Sequence, residues 1–301
     1  MTQAAETKSG VINALSAYTM WGLAPLYFKL LEGVSSPEIL VHRIIWSCVL
    51  LIIIVIAMGQ WRKVQSILKD RKKVAWLLLT SVLLGANWLI FIWAINNHHL
   101  IEASLGYFIN PLFSVALGLV FLGEKLRKWQ TIAVLLALVG VLIQLISIGS
   151  LPIIALGLAG SFGIYGLFRK KLMVETVPGL LIESMLMLPL GIIYWIFFMD
   201  SPTSNMMVND ASLNIILIAA GLVTTAPLLC FTAAAKRLSL AALGFFQYLG
   251  PTIMFVLAVL FFNEQLAIEK LTTFVFIWAA ILIYSWDAVR KLKQQRATKK
   301  Q

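Results

Sequence analysis

Long apolar runs separated by short polar segments extend along this 301-residue chain. Ten of these runs are each close to the roughly 20 residues that an α-helix needs to cross a bilayer. They cover residues 11–31, 38–58, 74–95, 101–122, 131–149, 151–168, 179–198, 212–234, 241–262 and 271–286. The pattern therefore predicts an all-α integral membrane protein with ten transmembrane helices.

The composition supports a lipid environment and excludes several activities. Hydrophobic residues make up 60% of the chain and charged residues 12%, about half of the charged fraction of a soluble domain. Cys48 and Cys230 both lie within apolar runs, so we expect small buried side chains and no disulfide. The chain has no P-loop and neither the HExxH nor the GxSxG motif. We therefore expect no ATP-driven pump, no enzyme and no cofactor.

The basic residues are concentrated in alternate loops. With a cytoplasmic N-terminus, all of the 24 Lys and Arg residues except Lys29, Arg43 and Lys270 fall in cytoplasmic segments. The long loop at 199–211 then lies outside and carries two Asp residues but no Lys or Arg. The positive-inside rule thus predicts that both termini are cytoplasmic. We expect the net charge of +11 to reflect this topology and contacts with anionic lipid headgroups, and no nucleic-acid partner.

One motif occurs twice in the chain. Leu105–Pro111 and Leu243–Pro251 both combine Leu-Gly, aromatic residues and proline, and each proline is followed thirteen residues later by a glutamate, Glu124 or Glu264. We therefore predict two repeats, residues 1–150 and 151–301. Because each repeat contains five spans, the second must be inverted relative to the first. Secondary transporters with inverted repeats bind their substrates near the midplane, where the repeats meet.

The two prolines predict a polar cavity wall. Pro111 and Pro251 lie about halfway along their spans, and a proline leaves the carbonyl group four residues earlier without its donor. In hydrocarbon, such a carbonyl needs another partner or lines a cavity. Inverted symmetry predicts that the prolines face each other, although kinks that only shape helix packing are the alternative. The residues expected to contact substrate here are Tyr107, Asn110, Gln247 and Tyr248.

Ionisable residues within the spans are candidate coupling or gating groups. Arginine inside a membrane usually faces a bundle interior or water, but Arg43 could also snorkel to the outer interface. His42 precedes it, and Glu183 corresponds to His42 in the second repeat. The two enter from opposite sides, so we expect no direct ion pair. Glu183 is the first candidate for a protonatable coupling group, and a structural hydrogen-bonded glutamate is the alternative.

Further polar and aromatic positions extend the predicted site. Asn87 in the third span and Trp21 in the first are expected to join the cavity wall, although helix packing also explains aromatic spacing of this kind. Glycines at every third position from 157 to 166 predict close helix packing. His98, His99 and Glu102 are expected to form a polar rim, because a metal site would need further ligands.

Several stretches resemble the EamA family of the drug/metabolite transporter superfamily, and within it the chloramphenicol-sensitive protein group. They are residues 21–29, 37–47, 85–111, 223–238 and 243–251. The resemblance implies two inverted EamA repeats in a bacterial inner membrane and gradient-driven passage of a small molecule. It also implies that eight helices surround a central cavity while the fifth and tenth lie at the periphery.

We therefore expect a secondary transporter for a small metabolite or drug-like molecule that works by alternating access. Proton coupling is a hypothesis motivated by Glu183 and His42. The alternative is a non-transporting membrane component, such as a lipid scramblase or an accessory subunit, and polar residues spaced for an interior face favour transport over it. The lipid bilayer is an expected partner, and a homodimer is left open.

Overall fold

The computed structural model describes residues 3–97, 99–148, 152–172, 174–261 and 268–298. In these residues all regular secondary structure is helical. The helices are α1 (Gln3–Lys29), α2 (Ser36–Ala57), α3 (Trp61–Lys69), α4 (Arg71–Asn96), α5 (Leu100–Leu122), α6 (Lys128–Ile148), α7 (Ile153–Lys171), α8 (Thr176–Phe198), α9 (Ala211–Ala235), α10 (Leu240–Gln247), α11 (Leu249–Phe261) and α12 (Ile268–Thr298).

The helices agree with the predicted spans. Within the described residues, nine spans are long and apolar enough to cross a membrane, with α10 and α11 forming one of them. The predicted first span lies in α1, which has 27 residues and is less apolar because Asn13, Ser16 and Thr19 interrupt it. Since α1 packs along α9 and α11 in the same bundle, the architecture is consistent with ten spans.

Helix α3 was not predicted by the hydropathy pattern. It lies between the second and third spans, and its nine residues are too few to cross a bilayer. Val64 and Ile67 are buried while Arg62, Lys63 and Lys69 are exposed. Because its apolar and basic residues lie on different faces, α3 is an amphipathic helix outside the spans.

The two prolines have different effects on their helices. Helix α5 continues through Pro111, whereas the ninth span is divided at Tyr248 into α10 and α11. A Cβ atom on Gly244 would stand 2.6 Å from the carbonyl oxygen of Pro111. Pro111 therefore packs against Gly244, at the place where the sequence predicted Pro251. The helices cross closely there because glycine leaves space for the opposing backbone.

Helix contacts repeat when the two halves of the chain are exchanged. Each of three contacts has a counterpart in which every helix is replaced by its equivalent from the other half. The α1–α9 contact corresponds to α7–α4, the α2–α9 contact to α8–α4, and the α5–α7 contact to α11–α1. Three further pairs join corresponding helices of the two halves, namely α2–α8, α5–α10 and α6–α12. The fold therefore consists of two related five-span repeats, and the odd number of spans inverts the second. The boundary predicted between residues 150 and 151 falls outside the described residues and stays a prediction.

Helices α6 and α12 lie at one side of the bundle, as the family resemblance implies. They pack chiefly on each other, and their small residues Ala133, Ala137 and Ala280 share a hydrophobic cluster with residues of α5 and α10. A larger cluster fills the space among α1, α2, α4, α7, α8 and α9. Apolar side chains such as Val120, Leu190 and Leu282 are at least 70% exposed, which is the surface expected to face lipid.

Several contacts bring the lysine- and arginine-rich turns together at one end of the bundle, here called the basic end. The Lys63 ammonium in α3 lies 2.7 Å from the Glu175 carboxylate before α8, and Lys236 after α9 donates to the carbonyl of Val174. Burial lowers the pKa of the Lys236 ammonium to about 8, and the positive charge of Arg169 acts in the same direction. The Lys236 ammonium therefore releases its proton at a lower pH than an ordinary lysine does.

A glutamate joins the two repeats at the same end. The carboxylate of Glu124, after α5, accepts hydrogen bonds from the backbone N–H groups of Leu240 and Ala241 at 2.7 and 3.0 Å. A carboxylate at a helix N-terminus satisfies otherwise unpaired donors and interacts favourably with the helix dipole. Glu124 therefore holds α10 against the end of α5. Its counterpart in the repeat, Glu264, lies outside the described residues.

Candidate functional site

Arg43 extends from α2 into the interior of the bundle, in the half away from the basic end. Its Nε donates to the hydroxyl of Thr224 in α9 at 2.9 Å. Its guanidinium carbon lies 4.6 Å from the ring centre of Trp88 in α4 and 6.0 Å from that of Phe28 in α1. Both distances are within the range of cation–π attraction. The side chain thus contacts three neighbouring helices and does not snorkel to lipid.

Two tyrosines complete the surroundings of Arg43. The hydroxyls of Tyr27 and Tyr107 are close enough to interact electrostatically with the guanidinium. Tyr27 donates to the carbonyl of Ile216 at 2.8 Å, whereas Tyr107 in α5 is 37% exposed. Five helices therefore converge on one cation. The Arg43 cluster consists of Phe28, Arg43, Trp88, Tyr107 and Thr224.

Glu183 is the centre of a second polar group, closer to the basic end. Its carboxylate accepts from the Thr80 hydroxyl at 2.5 Å and from the Tyr165 hydroxyl at 3.4 Å. It also pairs with the Arg169 guanidinium at 3.4 Å, and both charged side chains are 1% exposed. These four residues, from α4, α7 and α8, are the Glu183 cluster. The predicted intramembrane carboxylate is therefore fully buried and ion-paired.

Arg169 is the functional candidate that the sequence analysis missed. It precedes Lys170 and Lys171, and a run of three basic residues at the end of a span is ordinarily read as a cytoplasmic loop. The spacing of Tyr165 and Arg169 was the available signal, because residues four apart lie on the same helix face. Gly179 provides room for the guanidinium, since a Cβ there would lie 2.7 Å from Arg169 Nη1.

The Arg169–Glu183 pair is incompletely satisfied. The Nε and Nη2 atoms of Arg169 are buried and have no hydrogen-bond partner among the described residues. Buried charges are costly unless their hydrogen-bonding groups are paired. Any change in the charge of Glu183 would therefore act strongly on Arg169 and on the helices that hold it.

A small cavity lies between the two clusters. Its volume is about 10 Å³, and its lining includes Ser47, Trp88, Glu183, Thr224 and Thr225. This space is near the minimum that holds one water molecule. Its lining is mostly apolar, and the hydroxyl of Thr225, one of the lining residues, is buried without a hydrogen-bond partner among the described residues. The two clusters are thus separated by little more than one solvent site.

Five aromatic rings close the bundle on the side of the Glu183 cluster. Their centroids lie 5.0 to 6.3 Å apart in successive contacts. These rings, here called the aromatic plug, belong to Tyr18, Trp21, Phe162, Tyr165 and Phe231. The predicted cavity residue Trp21 is one of these rings, and its contact with substrate stays a prediction. The five rings are packed together, whereas Tyr107 of the Arg43 cluster is partly exposed.

The other predicted cavity residues lie apart from the two clusters. Asn87 donates to the Leu158 carbonyl and the Ser161 hydroxyl of α7, both at 2.9 Å, which is a helix-packing role. Asn110 is 6% and Gln247 7% exposed, and the side-chain oxygen of Asn110 has no partner among the described residues. Contact of these residues with substrate stays a prediction.

Tyr248 faces the side of the bundle and not the cavity between the clusters. It is 1% exposed and packs in the hydrophobic cluster that α6 and α12 share with α5 and α10. Its hydroxyl donates to the Phe108 carbonyl at 3.3 Å. In this conformation Tyr248 joins α10 to α5, and its predicted contact with substrate is not tested.

His42 points away from its neighbour Arg43. Its ring lies 5.0 Å from that of Trp195 in α8, and its Nδ1 accepts from the Trp46 indole at 3.1 Å. Its Nε2 lies 4.0 Å from the Glu38 carboxylate, which accepts from Ser201 and Thr203 at the end opposite the basic end. Successive helix residues are about 100° apart, so the side chains of His42 and Arg43 have different surroundings, and a coupling or gating role for either stays a prediction.

The remaining candidates have structural surroundings. Gly163 packs against the ring of Phe113, and Gly166 against that of Phe231. His99 lies 3.1 Å from Glu102, while His98 is outside the described residues. Among the residues that the structure covers, no group of three His, Cys, Asp or Glu side chains could hold a metal ion.

The fold and the buried polar clusters define a multi-pass membrane protein whose two repeats enclose polar groups. The model of the EamA-like transporter family matches the chain twice, at residues 8–146 and 150–286. The protein therefore belongs to the EamA-like transporter family and is a membrane transporter.

The chain is similar in sequence to several proteins named RarD. It is 56% identical to Protein RarD of Salmonella typhimurium over 95% of this chain and 97% of the relative. It is 32% identical to a Pseudomonas aeruginosa protein named chloramphenicol-sensitive protein RarD, over 95% and 96% of the two chains. A crystal structure of a protein 16% identical in sequence superposes with a TM-score of 0.71, over 91% of this chain and 96% of that one. At this identity the superposition concerns the fold alone.

Proposed function

We propose that the protein is a secondary transporter of a bacterial inner membrane that moves a small metabolite or drug-like molecule by alternating access. The single observation that carries the proposal is the pair of polar clusters on either side of a small central cavity. Under the proposal the Arg43 cluster is reached from one end, where Tyr107 is partly exposed. The Glu183 cluster is buried behind the aromatic plug at the other. Inverted-repeat transporters bind between two such gates.

Glu183 is the proposed coupling group. Its carboxylate is the partner that compensates the buried Arg169 charge, and Arg169 has no second ion-pair partner in the described residues. Protonation of Glu183 would remove that compensation and favour a rearrangement that exposes Arg169 to water. Thr80 of α4 and Tyr165 of α7 donate hydrogen bonds to this carboxylate, so its protonation would also alter contacts with these two helices. A proton bound at Glu183 would thus open the basic end.

The proposed orientation places the basic end in the cytoplasm, with both termini on that side. It is supported by the concentration of Lys and Arg in the turns at this end, which is the bias that sets membrane topology. Under this orientation the structure corresponds to the conformation closed to the cytoplasm. The Arg43 cluster then faces the periplasm.

Transport of solutes into proteoliposomes under an imposed pH gradient tests the proposal. The solutes are amino acids, organic acids, sugars and drugs, and they include chloramphenicol because one relative carries that word in its name. We expect uptake of at least one solute to accelerate with the gradient. We expect Glu183→Gln to abolish that acceleration, because the amide cannot release a proton.

Glu175→Gln is the matched control, because Glu175 lies at the same end but is about half exposed and paired with Lys63. This variant should retain the response to the gradient. A Glu183→Gln protein that transports with unchanged dependence on the pH gradient would remove proton coupling through this residue. Absence of movement of any solute under any gradient, together with lipid exchange between leaflets, would favour a scramblase instead.

A further inference from the structure

We propose that Arg43 is the anchor for a negatively charged substrate, and that the substrate is a carboxylate joined to a flat apolar body. The inference rests on the proposed function, because it assigns a chemical class to the molecule that the transporter moves. Four observations support it: the unpaired charge of Arg43, the orientation of its guanidinium, the rings around it and the access to it.

The first observation is an uncompensated cation inside the bundle. Arg43 and Arg169 both extend into the bundle interior, but Arg169 has Glu183 at 3.4 Å. No described carboxylate lies within 4.0 Å of Arg43. An arginine inside a membrane protein is costly unless it finds a partner or water. An anion entering from outside the chain would supply that partner.

The guanidinium is also oriented for a bidentate contact. Thr224 takes the Nε–H group at 2.9 Å, and the Trp88 ring lies 4.6 Å from the central carbon. The two terminal nitrogens have no hydrogen-bond partner in the part of the chain that the structure describes. These nitrogens form the planar fork that matches the two oxygens of a carboxylate. These contacts therefore hold the Arg43 guanidinium in one orientation and leave the N–H groups of its two terminal nitrogens free.

Aromatic side chains determine the rest of the substrate class. Trp88 and Phe28 flank the guanidinium, and Tyr107 contacts Phe91 with ring centroids 6.2 Å apart. Rings of this kind favour stacking or edge contacts with another planar group. Tyr107 is partly exposed, and under this proposal the substrate enters past it. A carboxylate on an aromatic or similarly flat skeleton satisfies both the cation and the rings.

The test measures binding of paired probes to the full-length protein in lipid-free detergent by isothermal titration calorimetry. The probes are benzoate, phenylacetate and indole-3-acetate, each compared with its neutral amide. We expect at least one carboxylate to bind more tightly than its amide. Arg43→Gln should weaken that carboxylate by about tenfold to a hundredfold, the range of a lost charge-assisted hydrogen bond. It should leave the amide nearly unchanged.

Two controls separate this effect from a loss of structure. Arg237→Gln makes the same chemical change at an exposed arginine that bonds only the carbonyl of Ala233 in the described chain, and it should bind like the wild type. In the wild-type protein, phenylglyoxal modification mapped by mass spectrometry should occur at Arg43 and spare the buried Arg169. The bound carboxylate should slow modification of Arg43, whereas its amide should not. This second measurement needs no Arg43 variant that folds.

Equal binding of carboxylates and amides, no binding of any carboxylate, or carboxylate binding that survives Arg43→Gln would overturn the inference. These failures are distinct from failure of the transporter proposal. Transport of a neutral solute without carboxylate binding would refute the anion site alone. Carboxylate binding that depends on Arg43, without transport of any solute, would refute the carrier alone.

Discussion

At the scale of single residues, the two arginines inside the bundle have different electrostatic surroundings. Arg169 pairs with Glu183 behind the aromatic plug, whereas Arg43 is held by a hydroxyl and by rings. The paired arginine belongs to the proposed gate and the unpaired one to the proposed substrate site. The difference determines what each substitution should do.

Removal of Arg169 should be strongly destabilising. Arg169→Gln leaves the Glu183 carboxylate buried without its cation, and a broken buried ion pair costs about 3–5 kcal/mol. Equilibrium unfolding with denaturing detergent should detect the loss. The double variant Arg169→Gln with Glu183→Gln should recover part of it, because neither charge is then left alone. A double variant no more stable than Arg169→Gln would contradict the pairing.

Some surroundings of the ionisable residues inside the bundle could be predicted from the sequence, and others could not. The burial of Glu183 was predictable, because a carboxylate at the fifth position of the apolar span 179–198 has few alternatives. The separation of His42 from Arg43 was not, since it depends on which neighbouring helix each faces. The burial of Arg169 was not recognised, because Lys170 and Lys171 follow it and a basic run at the end of a span is ordinarily read as a loop. Its partner Glu183 lies in a different helix, α8, so the pair is not apparent from the sequence around Arg169.

At the scale of helices, close approaches at glycine fix the bundle. A Cβ on Gly221 would lie 2.4 Å from the carbonyl carbon of Trp46, so α9 and α2 are in backbone contact there. We expect Gly221→Ala to force these helices apart at a cost of about 1–3 kcal/mol, the usual range for overpacking. The apparent melting temperature in detergent should fall accordingly.

Gly160→Ala is the matched substitution on α7. A Cβ there meets nothing within 4 Å among the described residues, so this variant should be at least as stable as the wild type, because alanine favours helix. Equal melting temperatures for the two variants would contradict the proposed α2–α9 contact.

The positions of the helices were largely predictable and their irregularities were not. Apolar run length determined the spans, because a bilayer imposes one length on every crossing helix. Pro111 and Pro251 follow the same motif, yet α5 is continuous while the ninth span breaks at Tyr248. The motif therefore does not determine whether a helix continues past its proline.

At the scale of the whole molecule, corresponding contacts in the two repeats are compatible with the proposed alternating access. Helices α4 and α9 correspond to each other, and each packs on helices of both halves. If these helices tilt relative to each other, one end of the bundle opens as the other closes. The Glu183 cluster includes α4 through Thr80, and the Arg43 cluster includes α9 through Thr224. A change at Glu183 would therefore act on α4, and a substrate bound at Arg43 would act on α9.

Spin-label distances at both ends of α4 and α9 test alternating access most directly. One pair of labels replaces Lys72 and Arg237 at the basic end, and the other replaces Asn97 and Ser212 at the opposite end, in a protein whose Cys48 and Cys230 are changed to alanine. The account predicts that Glu183→Gln lengthens the Lys72–Arg237 distance and shortens the Asn97–Ser212 distance. Distances that change in the same direction at both ends, or at neither end, would contradict it.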